Sequence, residues 1–140
     1  MSEKNISEND NPKEQSKRYI ILIVDDEPDI LNLTEKFLKL DPNFDTITCS
    51  NAKEAMSVLE EQYPEISLML LDIMMPGRSG IDVLRQIKAE ERFNHILVIL
   101  FTVKSFNEDI QKGNALGADG YIVKPFSGKD LLKYVQDKLQ

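Results

Sequence analysis

The chain has 140 residues, with 17 Lys and Arg against 24 Asp and Glu, which gives a net charge of −7. That length suits one domain with a single core, and 41% hydrophobic with 29% charged residues is typical of a soluble globular protein. The acidic balance argues against direct binding to nucleic acid, which requires clustered Lys and Arg.

The chain begins with a polar segment, residues 1–17, that is rich in Ser, Asn, Glu and Lys. Ile6 is its one apolar residue after the first methionine. Such a segment cannot bury enough apolar surface to offset the entropy lost on ordering. We therefore predict a disordered N-terminal tail over residues 1–17 and one folded domain over residues 18–140.

Within the folded part, short apolar runs alternate with amphipathic stretches five times. The first run, residues 19–24, is short and rich in β-branched residues, which favours a buried strand over a helix. The predicted strands are Tyr19–Val24, Phe44–Thr48, Ser67–Leu71, Ile96–Phe101 and Tyr121–Val123. After the first of them, Pro28 suits the first turn of a helix, and Ile30, Leu33, Phe37 and Leu40 repeat at helical spacing.

A capping pattern opens each of the other four helices, with Ser or Asn followed three residues later by Asp or Glu. The four patterns are Asn51-x-x-Glu54, Ser79-x-x-Asp82, Ser105-x-x-Glu108 and Ser127-x-x-Asp130. Continuous apolar strands alternating with helices predict a parallel sheet covered on both faces. We therefore predict an α/β fold with a doubly wound five-stranded parallel sheet of order 2-1-3-4-5, a flavodoxin-like (βα)5 arrangement.

Polar side chains follow the predicted strands, at the edge where doubly wound sheets bind ligands. Asp25 and Asp26 follow the first strand, Asp72 the third, Thr102 the fourth and Lys124 the fifth. Because the first and third strands are neighbours in the predicted order, we expect the three carboxylates to converge within a few ångströms. A hard divalent cation would relieve their repulsion, so Mg²⁺ (or Mn²⁺) is the expected cofactor.

The same groups indicate phosphoryl chemistry. A carboxylate can attack phosphorus and form an acyl phosphate, while the cation and Lys124 would neutralise charge on the transferring group. The hydroxyl of Thr102 adds a donor that suits an anion. Asp72 stands on the central strand, whereas Asp25 and Asp26 are better placed to hold metal, so Asp72 is the expected acceptor.

The sequence resembles the receiver domain of two-component response regulators over about residues 18–140. The resemblance rests on the pair Asp25-Asp26, on Asp72-x-x-Met75-Pro76-x-x-x-Gly80, on Thr102, and on Gly117-Ala118-Asp119-x-Tyr121-x-x-Lys124-Pro125-Phe126. It implies that Asp72 takes a phosphoryl group from a phosphohistidine on a sensor kinase or phosphotransfer protein. It also implies a signalling domain that is not an enzyme and assists only its own phosphorylation and dephosphorylation.

The resemblance further implies a set of metal ligands. In similar proteins the metal is held by the residues that match Asp26 and Asp72 and by the backbone carbonyl that matches Met74, with Asp25 acting partly through water. The lysine of the family matches Lys124, and its peptide bond to Pro125 would be cis.

A switch is implied as well. In similar proteins the hydroxyl that matches Thr102 moves to the phosphoryl group, and the aromatic residue that matches Tyr121 turns inward. The phosphoryl group would thus favour one of two packings. The face formed by the fourth helix, fifth strand and fifth helix, near Phe106 and Tyr121, would then contact an unidentified downstream protein.

One residue departs from the family pattern. Val103 stands where the family usually has Ala or Gly. A branched side chain there would narrow access to the phosphoryl group, which bears on donor preference and on the lifetime of the acyl phosphate.

Three other interpretations remain. A receiver-shaped interaction module that acts without phosphorylation usually loses part of the acidic pocket, and none is lost here. A flavodoxin-like electron carrier needs a Ser-, Thr- or Gly-rich loop to hold the flavin phosphate, whereas residues 25–29 read DDEPD. A phosphatase of the haloacid dehalogenase type uses Asp-x-Asp, and position 74 is Met.

The cysteine content and the apolar runs bear on the compartment of the protein. Cys49 is the one cysteine and cannot form an internal disulfide, which favours a reducing cytoplasm. No run approaches the ~20 apolar residues of a membrane span. Because the chain ends shortly after Leu139, we expect a receiver without an output domain, either a stand-alone regulator or an excised piece of a longer protein.

Overall fold

The structure, a computed structural model, describes residues 18–103 and 107–140. Within these ranges, five strands alternate with five helices. The strands are β1 (Tyr19–Val24), β2 (Phe44–Cys49), β3 (Ile66–Asp72), β4 (Leu97–Val103) and β5 (Gly120–Lys124). The helices are α1 (Pro28–Leu38), α2 (Ala52–Gln62), α3 (Gly80–Lys88), α4 (Asn107–Leu116) and α5 (Gly128–Leu139). The expected tail, together with Ser105 and Phe106, lies outside the described residues.

The strands form one parallel sheet of order β2-β1-β3-β4-β5, which confirms the predicted order. Val24 at the end of β1 lies opposite Leu71, and Asp72 at the end of β3 lies opposite Phe101. The carboxyl ends of the three central strands therefore meet at the same edge of the sheet. The order reverses between β1 and β3, where doubly wound sheets bind their ligands.

Both faces of the sheet are buried, as the continuous apolar runs predict. On one face α2 and α3 cover the sheet, and on the other face α1 and α5 do so. The buried residues of the first face include Leu22, Val24, Met69, Leu71 and Leu100. Those of the second face include Ile21, Ile23, Leu70, Ile99 and Phe101. Burying each side chain of this size contributes about 1.5–3 kcal/mol to the stability of the fold, relative to leaving it exposed. The strands that carry the sheet edge are therefore held firmly in place.

Three of the four predicted capping residues lie among the described residues and cap their helices, while Ser105 lies outside them. Asn51 accepts a bond from the Glu54 N–H at 2.8 Å, and Ser127 accepts one from the Asp130 N–H at 3.0 Å. Ser79 instead bonds the N–H of Ile81 at 3.0 Å, one residue earlier than its pattern implies. The longest helix, α5, has 12 residues, and none of the helices in the described ranges is long and apolar enough to cross a membrane.

The inward face of α1 differs from the prediction. Leu40, expected in the apolar stripe, is 65% exposed, because α1 ends at Leu38 and the chain turns away there. Thr34 and Leu38 are the buried residues of the helix. The stripe is thus shifted around the helix relative to the spacing that the sequence suggested.

Candidate functional site

Asp25 lies directly after β1 and is fully buried. Its N–H continues the sheet by donating to the carbonyl of Cys49 at 3.1 Å. Its Oδ1 accepts a bond from the N–H of Glu27 at 2.9 Å. Such a local turn fixes the carboxylate against its own backbone, so its other oxygen, Oδ2, is free to face the sheet edge.

Asp72 is the last residue of β3 and is 3% exposed. Its Oδ1 accepts a bond from the N–H of Met74 at 3.2 Å, in a turn like that at Asp25. The next residue, Ile73, remains in the sheet through a bond from its N–H to the carbonyl of Phe101 at 3.1 Å. The carboxylate is therefore held at the centre of the edge.

The structure brings the three predicted carboxylates together. Asp25, Asp26 and Asp72 each offer one oxygen, and these three oxygens lie within 4.8 Å of one another. Asp25 and Asp72 are buried and Asp26 is half-buried. The strand order alone accounts for this convergence, because β1 and β3 are neighbours.

Lys124 joins the cluster from the end of β5. Its Nζ lies 2.8 Å from Oδ2 of Asp25, 3.0 Å from Oε1 of Glu27 and 3.5 Å from Oδ1 of Asp72. The Lys124 side chain is 11% exposed. The peptide bond to Pro125 is cis, which confirms the expectation from the resemblance.

The pocket carries more negative than positive charge. Burial and the charge of Asp25 raise the pKa of Asp72 to about 7, although Lys124 and the Met74 N–H oppose the rise. Burial alone would lower the pKa of Lys124, but its bonds to Asp25 and Glu27 and the charge of Asp72 outweigh burial and raise that pKa. One ammonium therefore does not neutralise the clustered carboxylates.

These residues fit a hard divalent cation. Carboxylate oxygens are the protein ligands that Mg²⁺ prefers, and it commonly takes only one or two of them besides water and phosphate oxygens. A groove of about 490 Å³ opens beside the carboxylates and is lined by Asp26, Met74, Met75, Ser79 and Asp109, among others. The side chain of Met74 is 54% exposed there.

Thr102 lies within β4 and not after it, because the strand extends to Val103, two residues beyond the predicted end. Thr102 is 2% exposed, and its hydroxyl donates to the carbonyl of Val103 at 3.2 Å. In the described part of the chain this hydroxyl bonds none of the three carboxylates. The side chain of Val103 is half-buried.

Tyr121 connects β5 to α4. It pairs with Leu100 in the sheet, and its hydroxyl donates to the carbonyl of Ile110 at 2.8 Å and contacts the amide oxygen of Asn114. Gly113 makes the close approach possible, because a Cβ there would lie 2.6 Å from Leu100 and 3.4 Å from the tyrosine ring. Phe106, the other residue expected near this face, lies outside the described residues.

Two further residues contact the site without having been given a role from the sequence. Glu27 forms an ion pair with Lys124, and its place directly after Asp26 was the available signal. Gly80 lies so close to Asp72 that a Cβ would be 2.1 Å from the carbonyl oxygen of Asp72. Its N–H donates to the carbonyl of Ile73 at 3.0 Å, and its place in the Asp72 motif was the only hint.

Comparison with known proteins agrees with the resemblance to receiver domains. A family model described as "Response regulator receiver domain" matches residues 21–136. Among curated proteins, the DNA-binding response regulator MtrA of Mycolicibacterium smegmatis is 34% identical over 123 residues, which is 88% of this chain and 51% of MtrA. The regulatory protein VanR of Enterococcus faecium is 38% identical over 120 residues, 86% of this chain and 49% of VanR.

A solved structure agrees with the fold. A CheY-like response regulator receiver domain protein from Methanospirillum hungatei superposes with a TM-score of 0.77 at 30% identity, covering 87% of this chain and 94% of that one. The chain spans about half the length of the curated relatives it matches.

Proposed function

The chain belongs to the receiver domain family of two-component response regulators, which signal by phosphorylation. From that premise we propose that Asp72 is the phosphoryl acceptor. The observation that carries the proposal is the contact of this buried carboxylate with the Lys124 ammonium, beside two further carboxylates at the sheet edge. A buried carboxylate with a perturbed pKa, next to a cation and a groove, is typical of a reacting group.

The donor in this proposal is a phosphohistidine on a sensor kinase or phosphotransfer protein. One carboxylate oxygen of Asp72 forms a bond to phosphorus, while the bond between phosphorus and the donor nitrogen breaks. The electron pair of the broken bond stays on that nitrogen. Because the other ring nitrogen of the donor carries a proton, the histidine leaves as a neutral imidazole. The product is an acyl phosphate on Asp72.

Asp72 reacts as the ionised carboxylate, so nearby positive charge must lower its raised pKa. Lys124 contributes to this, since its positive charge lowers the pKa of Asp72. Mg²⁺ (or Mn²⁺), when bound, would supply positive charge to the carboxylates and to the phosphoryl oxygens. Asp26, Asp72 and the backbone carbonyl of Met74 would hold the cation, with Asp25 beside it.

Lys124 and Thr102 act on the product. The Lys124 ammonium can donate to a phosphoryl oxygen on Asp72 from its position at the end of β5. The Thr102 hydroxyl can exchange its bond to the Val103 carbonyl for a bond to the phosphoryl group. Thr102 lies two residues after Leu100, the partner of Tyr121 in the sheet, and on the same side of β4. Its movement would therefore reach Tyr121 and α4.

The output in this proposal is a change of a protein contact surface. Tyr121 links β5 to α4 through the bond to Ile110, so a change in its packing alters the face formed by α4, β5 and α5. We propose that an unidentified downstream protein binds this face. The receiver spans residues 18–140, acts in the cytoplasm, and catalyses only its own phosphorylation and dephosphorylation.

The test is phosphorylation by a small donor. The protein is incubated with acetyl phosphate and Mg²⁺, and its intact mass is measured. We expect one added phosphoryl group on the unaltered protein and on the control Asp82→Asn, an exposed carboxylate on α3 that pairs with Arg85. We expect none on Asp72→Asn. If the unaltered protein gains nothing, or Asp72→Asn still gains a group, the proposal is wrong.

A further inference from the structure

The Lys124 ammonium has three carboxylate neighbours, and they differ in exposure. The side chain of Asp25 is fully buried and that of Asp72 is 5% exposed, whereas the side chain of Glu27 is 60% exposed. Lys124 lies closer to Asp25 and Glu27, at 2.8 and 3.0 Å, than to Asp72, at 3.5 Å. The ammonium is therefore held toward the segment between β1 and α1.

We propose that Glu27 competes with the phosphoryl group on Asp72 for the Lys124 ammonium. The competition slows phosphorylation and weakens the hold on the acyl phosphate. This inference rests on the proposed function of Asp72 and adds a residue that sets the rate and stability of that modification.

Glu27 is the neighbour that a phosphoryl group can displace. Asp25 is buried and fixed by the bond from the Glu27 N–H, so separating it from Lys124 would leave a buried charge unpaired, which is costly. The Glu27 carboxylate can move into water instead, at little cost. An ammonium has three donors, so Lys124 can keep Asp25 and exchange Glu27 for a phosphoryl oxygen.

Among the described contacts, the side chain of Glu27 forms no polar interaction besides its ion pair with Lys124. It forms no capping bond at the start of α1. The helical bonds of Glu27 come from its backbone, whose N–H donates to Asp25 and whose carbonyl accepts from Leu31 at 3.0 Å. Replacing the side chain therefore changes the ion pair and leaves the helix start intact.

The experiment compares Glu27→Gln with the matched control Asp29→Asn. Asp29 is an exposed acid in the first turn of α1, so its replacement removes the same charge nearby, without an ion pair to Lys124 in the structure. We measure binding of beryllofluoride, a phosphoryl analogue, with Mg²⁺, and the rate of phosphorylation by acetyl phosphate. Because exposed ion pairs are weak, we expect Glu27→Gln to raise the beryllofluoride affinity and the phosphorylation rate by about 2- to 5-fold each. Asp29→Asn should leave the affinity and the rate near those of the unaltered protein.

Salt separates competition from a structural effect. Raising the ionic strength weakens an exposed ion pair, so the unaltered protein should approach Glu27→Gln in rate and affinity, while the variant responds less. Glu27→Ala, which also removes the hydrogen-bond acceptor, should match or exceed Glu27→Gln.

The outcomes distinguish this inference from the proposed function. If the unaltered protein is phosphorylated on Asp72 but Glu27→Gln behaves like Asp29→Asn, the inference is wrong and the function stands. If the unaltered protein neither gains a phosphoryl group nor binds beryllofluoride, both are wrong.

Discussion

The Nζ of Lys124 lies 3.5 Å from Oδ1 of Asp72, although β4 separates the two strands that end in these residues. The ammonium lies 5.7 Å from the centre of the Phe101 ring, and Phe101 pairs with Asp72 in the sheet. Lys124 therefore spans the end of β4. Its charge offsets the repulsion between the buried carboxylates of Asp25 and Asp72, which the strand order and the local turns bring close together.

The first prediction concerns Lys124→Met. Without the ammonium, the carboxylates of Asp25 and Asp72 lie buried and repel each other. Breaking a buried ion pair from one side typically costs about 3–5 kcal/mol. We expect a loss of about 3 kcal/mol in the free energy of unfolding, measured by urea denaturation without divalent metal, and partial recovery when Mg²⁺ is added. Lys133→Met, which breaks an exposed pair with Asp137, should cost less than about 1 kcal/mol, and equal losses would contradict this account.

The second prediction concerns pH. Burial and the charge of Asp25 raise the pKa of Asp72 to about 7 in the folded protein, against about 3.9 in an unfolded chain. Between these values the folded state keeps a proton that the unfolded state has released. The free energy of unfolding of the metal-free protein should therefore fall as pH rises from about 4 to about 7, by as much as about 4 kcal/mol.

Asp72→Asn tests this pH dependence, because the amide does not titrate. Urea denaturation with a metal chelator, at several pH values across this range, should show a much flatter dependence for the variant than for the unaltered protein. A fall of the same size in both proteins would assign the pH dependence to other groups.

The third prediction concerns the half-buried member of the cluster, Asp26. Loss of an outer-sphere partner typically weakens metal binding by about 10- to 100-fold, so loss of a direct ligand should cost at least about tenfold. We expect this loss of Mg²⁺ affinity for Asp26→Asn in isothermal titration calorimetry. Asp29→Asn removes a nearby charge outside the cluster and should change the affinity far less. Similar affinities for the two variants would indicate a diffuse acidic surface instead of a defined site.

Much of the fold and the cluster was predictable because the signals are local. Runs such as Tyr19–Val24 predict buried strands by length and composition, and the alternation with helices predicts the parallel order. The positions of Asp25, Asp72 and Lys124 at strand ends then follow from topology. The cis bond to Pro125 followed from the resemblance alone.

The rest depends on contacts between residues far apart in the chain. The helical spacing of the apolar residues extends to Leu40 and does not show that α1 ends at Leu38, which leaves Leu40 exposed. Nothing in the sequence shows that Glu27 turns toward Lys124, because the direction of an exposed side chain depends on charges brought near by folding. The approach of Gly80 to the Asp72 carbonyl is likewise a property of the packed loop.

The fourth prediction compares two glycines in the segment after β3. A Cβ at Gly80 would lie 2.1 Å from the Asp72 carbonyl oxygen, and backbone cannot rotate away as a side chain can. A Cβ at Gly77 would meet nothing within 4 Å, although its φ of +82° disfavours other residues. Gly80→Ala should therefore cost about 2 kcal/mol or more, and Gly77→Ala about 1 kcal/mol.

Mg²⁺ binding and phosphorylation of Asp72 distinguish the two glycine variants. Because Gly80 lies against the backbone of Asp72, its replacement should also weaken Mg²⁺ binding and slow phosphorylation. Gly77→Ala should lower stability with little effect on either. If Gly80→Ala loses stability but keeps the Mg²⁺ affinity of the unaltered protein, the contact supports the fold and not the site.

The fifth prediction concerns the link between β5 and α4. The Tyr121 hydroxyl donates to the Ile110 carbonyl at 2.8 Å and contacts Asn114, so Tyr121→Phe removes the polar connection while keeping the ring. A hydrogen bond of this kind contributes about 1 kcal/mol. We expect hydrogen exchange to become faster in α4, while Asp72 still accepts a phosphoryl group, because Tyr121 contacts none of the described acidic residues of the cluster. Tyr63→Phe is the control. Among the described contacts, the hydroxyl of Tyr63 forms no hydrogen bond, while its ring packs against Phe93. Equal hydrogen exchange in α4 for both variants would show that the bond from Tyr121 to Ile110 does not hold the helix.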